Sequence, residues 1–502
     1  MVHRITRLAS TAALCALASA PIAAQQAAGS GRPLSLADAL RIAETASEDV
    51  GIARAGTERA HGEQLRARSE LFPQIYGSVG YTRTLASQFE DIGVSSDSGG
   101  FDFSNLPFGQ RNNWNVGLDV QQTLFAGGRV LAQTRMARAG RRVAESSLAS
   151  ARAQLVLNVI EAYYDAALAD RLVSIATSTL EQAETTLRHT QLARQVGNQP
   201  EFELLRATVT RDNQRPIVIR RRADRDIALM RLKQLLNLPL EEPLSLTTPL
   251  DDTTAVLPAR LTSAPSSASD SVGPSERVVV RQAADAVDIS TNALRIARSQ
   301  RLPQLNLTMQ YGRLAYPSGG VPAWGDFRTD WTVGVGLRVP LFTGGRISGD
   351  VRVAQADLEE ARYRLTLARE VAELDSHAAM ARLAAAEASF AASAGTAQQA
   401  ARAYQIAEVR YREGISTQVE LSDSRILLEE ATANRALAAR DLAVARAYVA
   451  LLRDLPFGAI SVPSSGGSAP SRPSQQQQQP SAPQRIPQAA AFTGSQTGAF
   501  TP

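Results

Sequence analysis

The chain is 502 residues long, 44% hydrophobic and 20% charged, with 53 Lys and Arg against 49 Asp and Glu for a net charge of +4. So even a balance, with no basic stripe interleaved with aromatics, argues against nucleic acid as a partner. The one cysteine, Cys15, lies in the first 24 residues, so the chain beyond them has no disulfide or thiol chemistry.

Residues 1–24 read as a secretory signal peptide. Arg4 and Arg7 precede an apolar run from Leu8 to Ala20, and small residues follow, ending near Ile22-Ala23-Ala24. Beyond it no uninterrupted apolar stretch reaches the roughly 18 to 20 residues of a membrane helix. An exported chain of that kind is soluble or crosses an outer membrane as strands.

A short helix is expected from about Glu48 to Leu71, then strands Gln74 to Thr84 and Asn113 to Phe125 around a Gly-, Ser-, Asp- and Phe-rich loop, Leu85 to Asn112. The second strand, Trp114-Asn115-Val116-Gly117-Leu118-Asp119-Val120-Gln121, alternates apolar with small or polar residues; Ile75 to Tyr81 does so more weakly. Arg129 to Gln195 has no proline and one glycine, Gly140, and reads as a rod of about 100 Å. A turn at Val196-Gly197-Asn198 ends it, and Pro200 suits the first turn of a return helix reaching about Leu238. Glu241 to Ser275, rich in Pro, Ser and Thr, is a connector.

The pattern then recurs. A short helix is expected from about Glu276 to Leu302, and strands Gln304 to Arg313 and Asp330 to Phe342 flank Leu314 to Thr329. A proline-free run from Ile347 to Glu413 leads to a turn at Glu413-Gly414-Ile415, and a return helix begins at Thr417-x-x-Glu420, a capping-box spacing. Trp114 to Pro239 lies over Trp331 to Pro456 at a constant offset of 217 (331 minus 114). Leu124-Phe125-x-Gly127-Gly128-Arg129 matches Leu341-Phe342-x-Gly344-Gly345-Arg346, and Gly197, Glu203 and Leu204 match Gly414, Glu420 and Leu421. The domain layout is therefore a first repeat at 25–239, a linking, equatorial segment at 240–275 and a second repeat at 276–456, followed by a disordered Pro-, Ser- and Gln-rich tail at 457–502.

Alternation gives each strand one apolar and one polar face, which suits a soluble sheet capping a helical domain or a barrel between lipid and a watery lumen. Four strands cannot close a barrel and open edges are not tolerated in lipid, so membrane strands require several copies: two give eight strands, three give twelve. A short helix stacked end to end on a return helix would match the long rod, giving four helical columns per chain and, over several chains, a tube. A plain coiled-coil stalk explains the rods but not the strand pairs inserted at matched points.

Leu71-Phe72-Pro73-Gln74 and Leu302-Pro303-Gln304-Leu305 enter the first strand of each repeat, Leu-Phe-x-Gly-Gly-Arg leaves the second, and Arg410-Tyr411-x-x-Gly414-x-Ser416 marks the second turn. On these motifs the chain resembles the TolC-like outer-membrane efflux channels up to about Pro456. The resemblance implies a mixed α and β fold: a homotrimer whose transmembrane β-barrel, four strands per chain, continues into a long α-helical barrel crossing the periplasm. It implies a passive exit duct of a tripartite efflux or type I secretion system, partnered by a periplasmic adaptor protein and an inner-membrane pump and embedded in outer-membrane lipid. The Gly197 and Gly414 turns would form a closed periplasmic tip, with Arg410, Tyr411 and Ser416 as adaptor-contact candidates; the first tip, Val196-Gly197-Asn198-Gln199-Pro200, departs from the family pattern. A general diffusion porin and an exported scaffold are the alternatives, the long helices arguing against a porin, whose periplasmic turns are short.

Glu420 and Asp423 are i,i+3 on one helix face, where family members carry an acidic, cation-binding ring at the gate; both also suit a helix start, Glu420 as the capping-box acid. Glu203, repeat mate of Glu420, is a third constriction candidate, while Arg206, mate of Asp423, has the opposite sign. Trp114, Trp331 and Tyr311 are membrane-interface candidates or pack on neighbouring strands. His61, His189 and His377 are scattered, and the glycine pairs lack the Lys-Ser/Thr of a phosphate loop, so no enzyme, metal or cofactor is expected.

Overall fold

The computed structural model describes residues 31–86, 111–197, 199–251, 273–317 and 320–459. The expected signal peptide, most of the first inter-strand loop, Asn198, most of the connector and the tail lie outside these residues. The elements run β1 (Arg32–Leu34), α1 (Leu36–Ala46), α2 (Glu48–Ser69), β2 (Gln74–Arg83), β3 (Asn112–Phe125), α3 (Arg129–Gln195), α4 (Glu201–Leu235), β4 (Leu244–Leu246), α5 (Val278–Ser299), β5 (Gln304–Ala315), β6 (Arg328–Arg338), α6 (Arg346–Arg412) and α7 (Gln418–Leu451). Among the described residues no helix is long and apolar enough to cross a membrane.

Four strands form one antiparallel sheet in the order β2-β3-β5-β6, so the two repeats join at β3 and β5, leaving β2 and β6 as open edges. The register places like with like: Ile75, Val120, Met309 and Val333 align across the sheet, as do Leu118, Tyr311 and Trp331. One face is therefore mainly apolar, with Arg313 and Thr329 near one end and Gln122 near the other. It is largely uncovered among the described residues, with Val79 75% and Trp331 67% exposed. The expected strand to Phe342 is shorter in the structure: β6 stops at Arg338. Pro340, which has no N–H for the ladder, stands where the first repeat has Thr123, and there β3 runs on through a bulge to Phe125.

Each repeat leaves its sheet through a glycine pair in the left-handed region, Gly127 and Gly128 at φ 58° and 82° and Gly344 and Gly345 at φ 57° and 85°. Gly127 is also pressed against the end of α5 and the residues after it: a Cβ there would lie 3.0 Å from the Ser299 carbonyl oxygen and 2.8 Å from Cβ of Leu302. Its mate Gly344 faces open space.

The rods α3 and α6 are 67 residues each, as the proline-free runs predict, the second starting one residue early at Arg346. The return helices are shorter than the expected forty, at 35 and 34 residues, and α4 carries Pro216 inside it. Seams between helices are thin and alanine-rich, as in the cluster of Leu294, Ala297, Val351, Ala354 and Leu358 between α5 and α6. Among the helices of the described residues, α3 packs laterally on α2 and α4 and on α5 and α7, whereas α6 packs on α5 and α7. The columns thus stand in the order α2/α4, α3, α5/α7, α6, and the outer columns α2/α4 and α6 each lack a neighbour on one side.

Short and return helices meet end to end within each repeat. In the first, the Asn237 amide donates to Glu48 Oε1 at 3.0 Å, across the start of α2 and the end of α4. Beside this joint β1 pairs in parallel with β4, and the buried Tyr163 hydroxyl of α3 donates to the Leu34 carbonyl at 3.0 Å while accepting from the Thr248 amide at 3.1 Å. In the second, the Val278 amide donates to the Arg453 carbonyl at 2.8 Å. Arg277 is fully buried there, 2.8 Å from Asp375 on α6, with Phe457 against its guanidinium. The Tyr448 hydroxyl donates to Asp375 at 3.0 Å; burial first, then the Asp375 charge, push its pKa up to about 12.

Asp375 therefore satisfies two buried groups at once. Asp375→Ala leaves Arg277 buried and unpaired and should destabilise the chain by about 3–5 kcal/mol, read as a lowered thermal unfolding midpoint in detergent. An Asp375→Ala midpoint equal to the parent's would mean that the joint does not depend on this pair.

Candidate functional site at the helical tip

The ends of α3 and α6 and the starts of α4 and α7 gather far along the chain from the strands. The two turns that connect them use glycine for one reason: Gly197 and Gly414 have φ of 79° and 74°, a left-handed conformation that closes a helix end. In the second turn the Gly414 amide donates to the Tyr411 carbonyl at 3.0 Å and the Ile415 amide to the Arg410 carbonyl at 2.9 Å. Ser416 keeps its hydroxyl oxygen buried with no partner among the described residues.

The capping box expected at Thr417 is only half formed. The Thr417 hydroxyl accepts from the Glu420 amide at 3.4 Å, but the Glu420 carboxylate pairs with Arg410 Nη1 at 2.7 Å across the turn. Arg194 and Glu201 span the first turn in the same way at 3.5 Å. Asp423 is exposed, with no ion pair among the described residues. Glu420 and Asp423 share a helix face, yet only Asp423 is an unpaired acid.

Glu203 lies against the start of α7. In the amide orientation that satisfies both of its ends, Gln418 donates to Glu203 Oε2 at 2.7 Å and accepts from the Ala207 amide at 3.2 Å. A second bridge links the repeats: the Tyr411 hydroxyl and Thr190 Oγ1 are 2.9 Å apart. Tyr411 also packs on a small core of Tyr404, Ala407 and Leu421. The sequence pattern missed Thr190, Gln418 and the buried Arg425, because their roles arise from contact between helices more than 200 residues apart and no local spacing encodes that.

The three aromatic candidates are in the sheet. Trp114 stacks on Tyr81 at 4.7 Å between ring centroids, and its indole N–H donates to the Gly320 carbonyl at 3.1 Å. Tyr311 and Trp331 are cross-strand partners at 6.3 Å, edge to face. No group of three or more metal-ligating side chains occurs among the described residues.

Residues 39–238 and 275–453 match the family described as outer membrane efflux protein. The chain belongs to that family. The two matched segments fall on the two repeats and leave out most of the connector between them. Efflux through an outer-membrane channel is the family's function, and its members are channels rather than enzymes. A curated relative, the alkaline protease secretion protein AprF of Pseudomonas aeruginosa, is 25% identical over 311 residues, 61% of each chain, so this chain spans about three fifths of that relative's length. Among solved structures, the CmeC outer membrane channel of Campylobacter jejuni superposes with a TM-score of 0.68 at 18% identity, covering 84% of this chain and 86% of its own. The outer membrane protein VceC of Vibrio cholerae gives 0.68 at 17%, covering 84% and 96%. The MtrE channel of Neisseria gonorrhoeae, in its open state, gives 0.67 at 20%, covering 84% and 89%. At these identities the likeness is one of fold: mostly helix, with a small sheet.

The Tyr411–Thr190 bridge should couple the two turns. In a double-mutant cycle of Tyr411→Phe and Thr190→Val, a coupling of about 1 kcal/mol is expected, measured as amide-exchange protection around Gly414; additive effects would mean that the bridge does not form.

Proposed function

We propose that the chain is the passive exit duct of a tripartite efflux or type I secretion system: a homotrimer with a twelve-stranded barrel in the outer membrane and a helical tunnel in the periplasm, gated at the tip and driven by an adaptor protein and an inner-membrane pump. The observation that carries this reading is that the sheet and the helices stop at matching edges. In one chain β2 and β6 lack partners, and so do the open faces of α2/α4 and α6.

The internal repeat supplies the template for joining them. Where β3 pairs with β5 inside the chain, β6 pairs with β2 of the next copy; where α3 packs on α5 and α7, α6 packs on the next α2 and α4. The side chains suit this. The open face of α6 carries exposed Ala381, Ala385, Ala388, Ala392 and Gly395 along its lower half, and α4 presents the exposed Phe202, Leu205, Val209, Ile219, Ile227 and Met230. Along the upper half the sizes are reversed: Tyr363, Leu367 and Leu374 project from α6 and Gly51, Ala55 and Gly62 line α2. Phe72 stands before Pro73-Gln74 where Leu302 stands before Pro303-Gln304, so Phe72 of the next copy takes the space beside Gly344 that Leu302 fills beside Gly127. A ring so closed leaves no strand edge in hydrocarbon. The apolar sheet face then meets lipid, with Trp114, Trp331 and Tyr311 at its interface, and the signal peptide directs export.

At the tip, Glu420, Asp423 and Glu203 are the constriction residues, and Gly197, Arg410, Tyr411, Gly414 and Ser416 lie where an adaptor would dock. The name of the P. aeruginosa relative favours a secreted protein as cargo, while the family description names efflux without a cargo.

Two measurements test the reading. Ala392→Trp, on the open face of α6, should leave the chain helical but shift it from trimer to monomer in native electrophoresis; a persistent trimer would place the contact elsewhere. In planar bilayers the parent should conduct weakly and be blocked by divalent cations, with block reduced at least several-fold in the Glu420→Gln/Asp423→Asn double variant. A large, permanently open conductance would favour the diffusion porin, and no conductance the scaffold.

A further inference from the structure

The mainly apolar face of the sheet carries cations at one end. Going away from the helices, its rows pass from Tyr311 and Trp331 to Val116 and Arg313, and then to Tyr81 and Trp114. Arg313 is thus bracketed by two rows of aromatic rings. Arg83, the last residue of β2, falls on the same face and is exposed. None of the four strands sets a carboxylate on that face, since Asp119 and Asp330 have the opposite parity.

The loop after β5 returns over this end of the face. The Trp114 indole donates to the Gly320 carbonyl at 3.1 Å, and the Asn112 amide to the Pro317 carbonyl at 3.3 Å. Ala315, next beyond Arg313 on the face, is fully buried. The return lays Trp324 against Arg313, with the guanidinium carbon 5.3 Å from the ring centre, while Trp324 itself stays 74% exposed. Such a contact covers one flat side of the guanidinium and leaves the N–H groups, which point outward in its plane, to find acceptors. Among the described residues they find none. The one acid of the loop, Asp326, instead accepts from the Ala323 amide at 2.8 Å, and Arg83 likewise has no ion pair among the described residues.

Rings of Tyr and Trp mark the depth at which a membrane protein meets lipid headgroups. A cation at that depth, on a face without a single acid, is complementary to a phosphate, which the planar guanidinium fork recognises well. We propose that Arg313, backed by Trp324 and joined by Arg83, binds the phosphate of an anionic lipid headgroup. The proposal rests on the reading that this face meets lipid, and adds to it a preference for charge.

The three tryptophans of the chain, Trp114, Trp324 and Trp331, are all at this end of the sheet, so their fluorescence reports lipid contact there. The full-length chain is reconstituted in phosphatidylcholine bilayers that contain, at equal mole fraction, phosphatidylglycerol or phosphatidylcholine brominated in its acyl chains, which quenches tryptophan on contact. Both lipids should quench the parent, the anionic one with a roughly fivefold higher apparent affinity, as one arginine near the surface supplies. Arg313→Gln/Arg83→Gln should still be quenched by both lipids, which shows that it has inserted, but with no preference between them. Arg313→Lys should keep a preference, and its retention covers a failure of the glutamine variant to fold. Equal quenching of the parent by the two lipids overturns the proposal and leaves the lipid-facing reading standing, as does a double variant with the parent's preference. Absence of quenching by either lipid overturns that reading and the proposal together.

Discussion

Unpaired strand edges govern this molecule. A backbone N–H or C=O left without a partner in hydrocarbon costs several kcal/mol. The sheet has ten- to fourteen-residue strands, one mainly apolar face and two open rims among the described residues. Its face calls for an apolar medium, and its rims forbid that medium unless another sheet covers them. The helices obey the same logic in milder form, since their open faces are apolar but their backbones are satisfied internally. Sheet and helices run out at the same two columns, so the proposed assembly would close both at once.

In the proposed assembly the seam inside one chain is the template for the seam between copies, but the two would not be equivalent. The internal seam carries polar locks: Arg142 of α3 lies 2.6 Å from Asp285 on α5, Arg440 of α7 lies 2.8 Å from Asp165 on α3, and Tyr411 meets Thr190. At the corresponding places on α6 stand Glu359, Arg382 and Ala407, none of which can repeat its mate's bond. In the proposed assembly the seam between copies would rest instead on steric fit of large against small residues. Burial of Glu161 beside Arg440 raises its pKa, a further sign that the internal seam is where polar groups have been enclosed.

Much of this was legible in the residues because it is local. Proline-free runs set the lengths of the rods, glycine in left-handed geometry set their ends, and period-two alternation set the strands. The internal repeat revealed the pairing of elements, because a match of that length is not produced by composition. What stayed hidden depends on distant contact. The strand pair β1 and β4 is only three residues on each side and exists because Tyr163 holds both flanks. The truncation of β6 follows from Pro340, visible in the sequence but outweighed there by alternation. The Glu420 carboxylate had two plausible uses in the sequence, at the gate and in the capping box; it does not complete the box, since Arg410 lies within reach once the turn closes.

The joints between short and return helices have a mechanical corollary. Two of the four columns are single 67-residue rods, stiff along their whole length, and two are spliced near mid-height. A continuous rod can flex only by straining many backbone hydrogen bonds together, while a splice flexes at a handful of contacts such as Asn237 with Glu48. Compliance is therefore concentrated in a belt at the splices, and the second splice, braced by Arg277 and Asp375, is the more rigid of the two.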